Sequence, residues 1–128
     1  MGERAGKRAG KWVDGTGTLA VGAPAREVPL EVAASYRARR RGLLGRDGIT
    51  GALLIVRTNS VHTFGMRFPI DVAYLDGSLT VRSVVTMRPG RLGMIRPRGR
   101  HVLEAEAGAM AGWGLEPGVR VRVDLTGD

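Results

Sequence analysis

The 128-residue sequence contains no cysteine, no long apolar run, and only two residues each of Trp, Tyr and Phe. The absence of cysteine excludes a disulfide framework, a thiolate metal site and a cysteine nucleophile. The few aromatic residues form no pattern of stacking platforms for single-stranded nucleic acid. No apolar segment follows the basic N-terminus, and no apolar run approaches the roughly 18 residues of a membrane span. We therefore expect a cytoplasmic protein without a membrane span.

Positive charge is what the chain has in excess, with 20 basic residues against 12 acidic ones and a net charge of +8. Such a charge favours encounters with nucleic acid, anionic lipid or acidic proteins, without specifying any of them. The length fits one domain with its own core. Residues 1–15 combine basic residues with Gly and Ala and have little apolar surface to bury. We expect a disordered basic tail over 1–15 and a single globular domain over 16–126.

Short apolar or alternating segments predict a mainly β fold, a β-rich α+β domain shaped as a small barrel or sandwich of about seven short strands. The continuous apolar run 51–56 indicates a central strand, and Pro29 favours an edge position for the strand that contains it. The Asp76, Gly77 dipeptide predicts a tight hairpin with positive φ. The predicted strands are 17–21, 26–32, 51–56, 61–66, 70–75, 79–87, 102–105 and 119–125.

One short helix is predicted near residues 36–44, because Ser35 can cap its first turn and Gly45 occupies a helix-stop position. Residues 107–115 are typical of a helical turn rich in small side chains. The arginines of the predicted helix indicate a solvated face opposite Tyr36, with an anion or phosphate patch as the alternative. The candidate anion-binding residues there are Arg39, Arg40 and Arg41.

A second basic segment is the stretch 88–99, which is rich in Pro, Gly and Arg and lacks periodicity. It predicts an exposed loop, and loops this long in a compact domain are commonly functional. Its arginines and the one that follows add Arg96, Arg98 and Arg100 to the candidate anion-binding residues.

Four polar or soft side chains in apolar surroundings are candidates for a site or for buried structural roles: His62, Met66, Asp71 and Glu104. Imidazole and thioether suit copper, but positions four apart on a strand lie about 13 Å from each other, so His62 and Met66 share an ion only if the chain bends at Gly65. We assign no metal and no cofactor.

The carboxyls of Asp71 and Glu104 allow two interpretations. They could form a pair for acid/base chemistry, with pKa values driven apart by proximity. Alternatively, each accepts hydrogen bonds from backbone amides or pairs with a buried arginine such as Arg40 or Arg46, which is the interpretation we favour. The sequence has neither a serine nucleophile elbow nor a glycine-rich phosphate loop.

Several segments carry a likeness to a known family. They are EVA at 31–33, RRGLLGR at 40–46, HTFGMRFPIDVAYLD at 62–76, VLE at 102–104, AG at 107–108 and GLEPG at 114–118. Over residues 31–123 the chain resembles domain of unknown function family 192. The resemblance implies a β-rich fold with one short helix and no established activity. Many members have an aromatic pair before the Met, where this chain has Phe64 and Gly65.

These features lead to three functional hypotheses. The preferred one is a small non-enzymatic binding or accessory domain that uses a groove near residues 88–100 for an unknown protein or small ligand. The alternative is electrostatic binding of nucleic acid through the basic residues. The weakest is an acid/base enzyme built on Asp71 and Glu104, which requires both carboxyls to open on one cavity.

Overall fold

The computed structural model of the protein describes residues 7–8 and 11–126. In this part of the chain, no helix has the length and apolar character that crossing a membrane requires. The elements, in chain order, are β1 (Lys7–Arg8), β2 (Lys11–Trp12), β3 (Gly15–Val21), β4 (Arg26–Ala33), α1 (Tyr36–Arg41), β5 (Ala52–Val56), β6 (Ile70–Leu75), β7 (Val81–Met87), β8 (His101–Glu106), α2 (Ala109–Trp113) and β9 (Val121–Leu125).

Seven of these strands form one mixed sheet in the order β7-β6-β8-β5-β4-β3-β9. The apolar β5 is the middle strand, as predicted, and all five of its residues are buried. It runs parallel to β4 and antiparallel to β8. The two end strands meet where they begin, through a bridge between Thr80 and Arg120 and a 2.8 Å hydrogen bond from Val81 N to Val119 O. The mainly β fold is therefore confirmed, as a sheet whose ends touch without forming a continuous ladder in the described residues.

Each face of the sheet carries its own hydrophobic cluster, because side chains alternate along every strand. One cluster, here the α2-side cluster, includes Leu54, Ala73, Leu103, Ala105 and Met110. The other, the α1-side cluster, includes Leu43, Leu53, Val72, Tyr74 and Val102. This alternation decides which polar side chains of β6 and β8 share a face.

The segment predicted as a strand over 61–66 is not one. His62 forms a single bridge with Leu92, and the chain turns at Gly65, whose φ is +79°. The loop predicted over 88–99 is hydrogen-bonded to this segment, since Gly93 N donates to Val61 O at 2.8 Å and Arg96 N donates to Asn59 O at 3.1 Å. The stretches 59–63 and 90–96 therefore run side by side without forming a regular ladder.

Two local predictions about β-structure are wrong. The strand with Pro29 lies between β3 and β5, away from the sheet edge. Registered pairing with β5 begins only at Leu30, so the missing N–H of Pro29 interrupts no pairing on that side. The β6–β7 hairpin is confirmed. However, its positive φ falls at Leu79 rather than at Gly77.

The helix predicted near 36–44 is confirmed as the shorter α1, and Ser35 accepts a 3.2 Å hydrogen bond from Ala38 N as its cap. Gly42, three residues before the predicted stop, ends the helix. A second helix, α2, forms within the predicted helical turn. Tyr36 is 71% exposed, so the arginine face does not lie opposite a buried Tyr36.

The segment expected as a disordered tail is only partly described, since residues 1–6 and 9–10 lie outside the described residues. Trp12 contacts His101 edge to face, with ring centroids 5.3 Å apart. The Asp14 carboxylate accepts from Ala34 N at 2.6 Å and from Ser35 N at 2.8 Å. The packed part of the chain therefore begins before residue 15.

Candidate functional site

A cavity of about 210 Å³ lies between α1, the segment 58–66 and the α1-side face of β5 and β8. Its wall combines apolar side chains with an unusual concentration of polar and charged groups. The apolar lining includes Leu43, Ile55 and Val102, whereas the polar lining includes Thr58, Ser60, His62, Glu104 and the arginines of α1. Three of the candidate residues from sequence, His62, Met66 and Glu104, therefore line the same cavity.

Glu104 contributes a buried carboxyl to the wall of this cavity. Glu104 is 5% exposed and lies on β8, between Leu53 of β5 and Val72 of β6. Burial raises the pKa of the Glu104 carboxyl from 4.5 to about 7. No hydrogen bond or ion pair within residues 7–8 and 11–126 offsets this cost. An acid in such a state is half protonated near neutral pH, so it can donate as well as accept a hydrogen bond.

The C-terminal end of α1 leaves space around that carboxyl because Gly42 has no side chain. A Cβ at Gly42 would lie 4.0 Å from Glu104 Oε1 and 3.7 Å from Ile55 Cδ1. The residue also has φ +50° and ψ −129°, which side-chain-bearing residues rarely adopt. The absence of a side chain at Gly42 thus allows the helix to end there and also leaves the cavity open.

Arginines of α1 line the cavity on its helix side. Arg39 donates from Nη2 to Arg57 O at 3.2 Å, while its Nε is buried and has no partner in the described structure. Arg40 donates to the Tyr36 hydroxyl at 3.2 Å. Arg41 is exposed and also lines the cavity. Three arginines of the predicted helix face, Arg39, Arg40 and Arg41, therefore line a concave site, whereas Arg37 of the same helix does not.

His62 and Met66 line the same cavity, and the chain turns between them. Met66 N donates to Thr63 O at 3.1 Å, which closes the turn at Gly65. His62 Nδ1 accepts from Phe64 N at 3.3 Å, and the two rings stack with centroids 5.1 Å apart. In the described residues, no group of three or more His, Asp or Glu side chains is placed to hold a metal ion.

Asp71 lies on the other face of the sheet. It pairs with Ala105 across β6 and β8, whereas Glu104 pairs with Val72, so the two carboxyls point to opposite faces. Asp71 accepts from Thr86 Oγ1 at 2.7 Å, Gly108 N at 2.9 Å and Met110 N at 3.1 Å. It is the side chain that holds the start of α2. Asp71 and Glu104 therefore do not form a carboxylate pair, and the acid/base hypothesis that requires this pair is wrong.

Of the two kinds of partner expected for these carboxyls, Asp71 has the backbone amides, while the arginines pair elsewhere. Arg46 forms a two-pronged ion pair with Glu31, with N–O distances of 2.9 and 2.8 Å. That interaction lowers the pKa of the Glu31 carboxyl, through the hydrogen bond first and the charge of Arg46 second. Neither Arg40 nor Arg46 reaches Asp71 or Glu104 in the described structure.

The arginines of the second basic segment lie outside the cavity wall. Arg96 sits over the Tyr74 ring, with 4.8 Å between the guanidinium carbon and the ring centroid. Arg98 is exposed, and Arg100 donates to Pro97 O at 3.3 Å and Gly99 O at 3.2 Å. The six arginines predicted as one anion-binding set are therefore divided between the cavity and the loop.

Thr63 is a structural residue that the sequence did not single out. It is fully buried, and its hydroxyl donates to Arg88 O at 2.6 Å and accepts from Arg91 N at 2.8 Å. Its backbone N–H also donates to Arg91 O at 2.8 Å. Thr63 therefore fixes the base of the loop to the segment that lines the cavity. A threonine between His62 and Phe64 is not part of any sequence pattern that would indicate its hydrogen bonds to Arg88 and Arg91.

Comparisons with solved structures show the same fold at low sequence identity. A candidate transcription regulator from Sinorhizobium meliloti 1021 is 21% identical, with a TM-score of 0.74 over 89% of this chain and 98% of that one. A protein of unknown function from Novosphingobium aromaticivorans is 17% identical, with a TM-score of 0.72 over 83% of this chain and 84% of that one.

Comparisons of sequence identify the family. A protein of the uncharacterised family UPF0127 from Pyrococcus horikoshii is 31% identical over 87 residues, which are 64% of this chain and 76% of the relative. A second UPF0127 protein, from Thermococcus gammatolerans, is 31% identical over 103 residues, 76% of this chain and 67% of the relative. Residues 18–123 match the family described as "Uncharacterized ACR". The chain belongs to this family, domain of unknown function family 192.

Proposed function

We propose that this protein is a non-enzymatic binding domain for a small organic anion, with the cavity beside α1 as its site. The observation that carries the proposal is one cavity lined by three arginines of α1 and by the buried Glu104 carboxyl, which has no hydrogen-bond partner in the described part of the chain. Buried polar groups without partners cost stability, and a ligand that pairs with them recovers that cost. The proposal also assumes a single domain over 16–126, located in the cytoplasm.

The charges of the wall select the chemistry of the ligand. Arg39, Arg40 and Arg41 on the helix side favour a phosphate or carboxylate, which guanidinium groups bind through paired hydrogen bonds. Glu104 favours a hydroxyl or an amine, since its carboxyl lacks a donor. The apolar part of the wall, which includes Leu43 and Ile55, suits a short carbon chain in the same ligand.

The size of the cavity limits the ligand to a small molecule. A volume of about 210 Å³ is below the range of roughly 300–1,000 Å³ typical for drug-sized ligands. An apolar cavity of about 150 Å³ is large enough for benzene. A molecule of on the order of ten non-hydrogen atoms, with an anionic end and a donor end, therefore matches the site.

Phosphoethanolamine is a suitable probe, because its phosphate and its amine match the two ends of the cavity. Thermal unfolding is measured with phosphoethanolamine, inorganic phosphate or ethanolamine added to the full chain. A ligand at 100 times its Kd stabilises the folded state by about 2.7 kcal/mol. We expect phosphoethanolamine to raise the melting temperature more than phosphate does, and ethanolamine alone to have little effect.

Variants separate the two ends of the site. Arg39→Ala should remove the effect of phosphate, whereas Glu104→Gln should keep it and lose the additional effect of the amine. Arg37→Ala is the matched control, since Arg37 lies on the same helix, is exposed and does not line the cavity. Equal stabilisation of all four proteins, or no stabilisation by either phosphate compound, would contradict the proposal.

A second candidate function is electrostatic binding of nucleic acid, which the description of the Sinorhizobium meliloti neighbour supports. The net charge of +8 and the exposed Arg91 and Arg98 are consistent with contacts to phosphates. Six or more such contacts would make affinity fall about 10³-fold or more between 50 and 200 mM salt. Binding to duplex DNA without this salt dependence, or no binding at low salt, would argue against it.

A further inference from the structure

The tip of the loop after β7 exposes large aliphatic side chains to solvent. Leu92, Met94 and Ile95 are 72%, 73% and 66% exposed, and Phe64, at 50%, stacks on His62, whose backbone bridges to Leu92. These four residues are here called the loop patch. Single exposed apolar residues are ordinary, whereas a contiguous group on a protruding loop commonly marks an interaction surface.

Basic residues surround the loop patch. Between Asp76 and Glu104 the sequence has no acidic residue, and its arginines from residue 88 onward are Arg88, Arg91, Arg96, Arg98 and Arg100. Four of these are exposed, and only Arg96 is partly covered, by its contact with Tyr74. The surface therefore combines an aliphatic tip with a positive border.

Backbone and side-chain hydrogen bonds fix the loop that carries these side chains. The hydroxyl and backbone of Thr63 fix the base of the loop at Arg88 and Arg91, while Arg96 N donates to Asn59 O on the far side. Gly93 is fixed in the middle, where its N–H donates to Val61 O at 2.8 Å. The aliphatic side chains consequently stay exposed with a supported backbone behind them.

We infer that the loop patch docks on the surface of an anionic lipid bilayer. The aliphatic side chains would enter the boundary between headgroups and acyl chains, and the arginines would contact lipid phosphates, as in other interfacial segments with an apolar and a basic face. Three of the four side chains of the loop patch are not aromatic and cannot stack on bases, so this combination fits lipid better than single-stranded nucleic acid. The inference does not depend on the proposed ligand of the cavity.

The test measures sedimentation of the full chain with two kinds of vesicle, one of phosphatidylcholine and one in which a third of the lipid is phosphatidylglycerol. We expect binding to the anionic vesicles only. Replacing Leu92, Met94 and Ile95 by Ser should lower the partition coefficient about 10-fold or more, since insertion of the apolar tip is lost. The matched variant Leu92→Met, Met94→Leu, Ile95→Leu should bind like the wild type.

The basic border is tested separately. Arg91→Ser and Arg98→Ser should each lower the partition coefficient by roughly fivefold. The charge-matched control is Arg26→Ser with Arg122→Ser, because these residues pair with neighbouring positions of β3, outside the loop. This control should reduce binding less than Arg91→Ser with Arg98→Ser. All substituted side chains of the loop patch are exposed, so each variant should melt near the wild-type temperature.

Three results would overturn the inference. One is the absence of binding to the anionic vesicles, and another is binding that the triple Ser variant leaves unchanged. The third is binding to duplex DNA or to polyglutamate in place of vesicles, which would assign the loop patch to a nucleic acid or to an acidic protein. None of these results affects the cavity, whose ligands are measured without lipid.

Discussion

Replacing Glu104 by Gln should remove a pH dependence of stability that the buried carboxyl imposes. The pKa of Glu104 is about 7 in the folded protein, against 4.5 for an ordinary glutamate. Below pH 4.5 both states hold the proton, so the full stability is present. Between pH 4.5 and 7 the unfolded chain releases the proton while the folded protein keeps it, and stability therefore falls as the pH rises.

The magnitude follows from the shift. Each pH unit between the two pKa values corresponds to about 1.4 kcal/mol, so the wild type should lose about 3 kcal/mol between pH 4 and pH 8 through this group. Gln is neutral throughout and loses nothing. Relative to wild type, Glu104→Gln should therefore gain about 3 kcal/mol on going from pH 4 to pH 8, on the order of 10 °C in melting temperature.

Urea unfolding of both proteins at pH 4, 6 and 8, in buffers free of phosphate, measures this difference. Carboxyls with lowered pKa values, such as Asp14 and Asp76, act equally in both proteins and cancel from the comparison. If the unfolding free energies of wild type and Glu104→Gln differed by the same amount at pH 4 and pH 8, the pKa of Glu104 would not be raised on folding. A wild type that loses stability relative to Glu104→Gln as the pH falls would show that the carboxylate is paired with an arginine of α1.

Three further changes test other parts of the structure. Asp71→Asn should destabilise the protein by about 1–3 kcal/mol, because its carboxylate accepts two hydrogen bonds from the start of α2 and one from Thr86 of β7, and urea unfolding measures this loss. Gly42→Ala should cost about 1–3 kcal/mol through its backbone conformation and should weaken phosphoethanolamine binding, measured by calorimetry. Thr63→Val should speed amide hydrogen exchange at Gly90 and Arg91, measured by NMR.

Each of these has an outcome that would contradict it. An unchanged unfolding free energy for Asp71→Asn would mean that α2 does not depend on the negative charge of Asp71. A Gly42→Ala protein with wild-type stability would show that the position tolerates a side chain. If Thr63→Val sped amide hydrogen exchange in β5 as much as at Gly90 and Arg91, the substitution would have destabilised the whole fold, and the loop would not have been released locally.

The sequence predicted the features that depend on local patterns. Ser35 marks the start of α1, the apolar run of β5 marks the central strand, and alternation marks β9. Errors arose where long-range pairing decides the outcome. The chain near His62 has strand-like composition, yet the turn at Gly65 and the hydrogen bonds of Thr63 to the later loop prevent a ladder.

The candidate site was predicted in part, for the same reason. The sequence identified Asp71 and Glu104 as buried carboxyls, but only the register of β6 against β8 shows that they face opposite sides. Similarly, the arginines of α1 became part of a cavity because that helix lies over the face that carries Glu104. Local sequence does not contain either relation, since both join segments more than thirty residues apart.

The most direct test of the account is the pKa of Glu104, measured by NMR on protein with carbon-13-labelled glutamate, with and without saturating phosphoethanolamine. We predict a pKa of about 7 for this carboxyl in the free protein and a lower pKa in the complex, because the bound ammonium group stabilises the carboxylate. A pKa near 4.5 in the free protein, or one that saturating phosphoethanolamine leaves unchanged, would contradict the claim that this carboxyl waits for a ligand in the cavity.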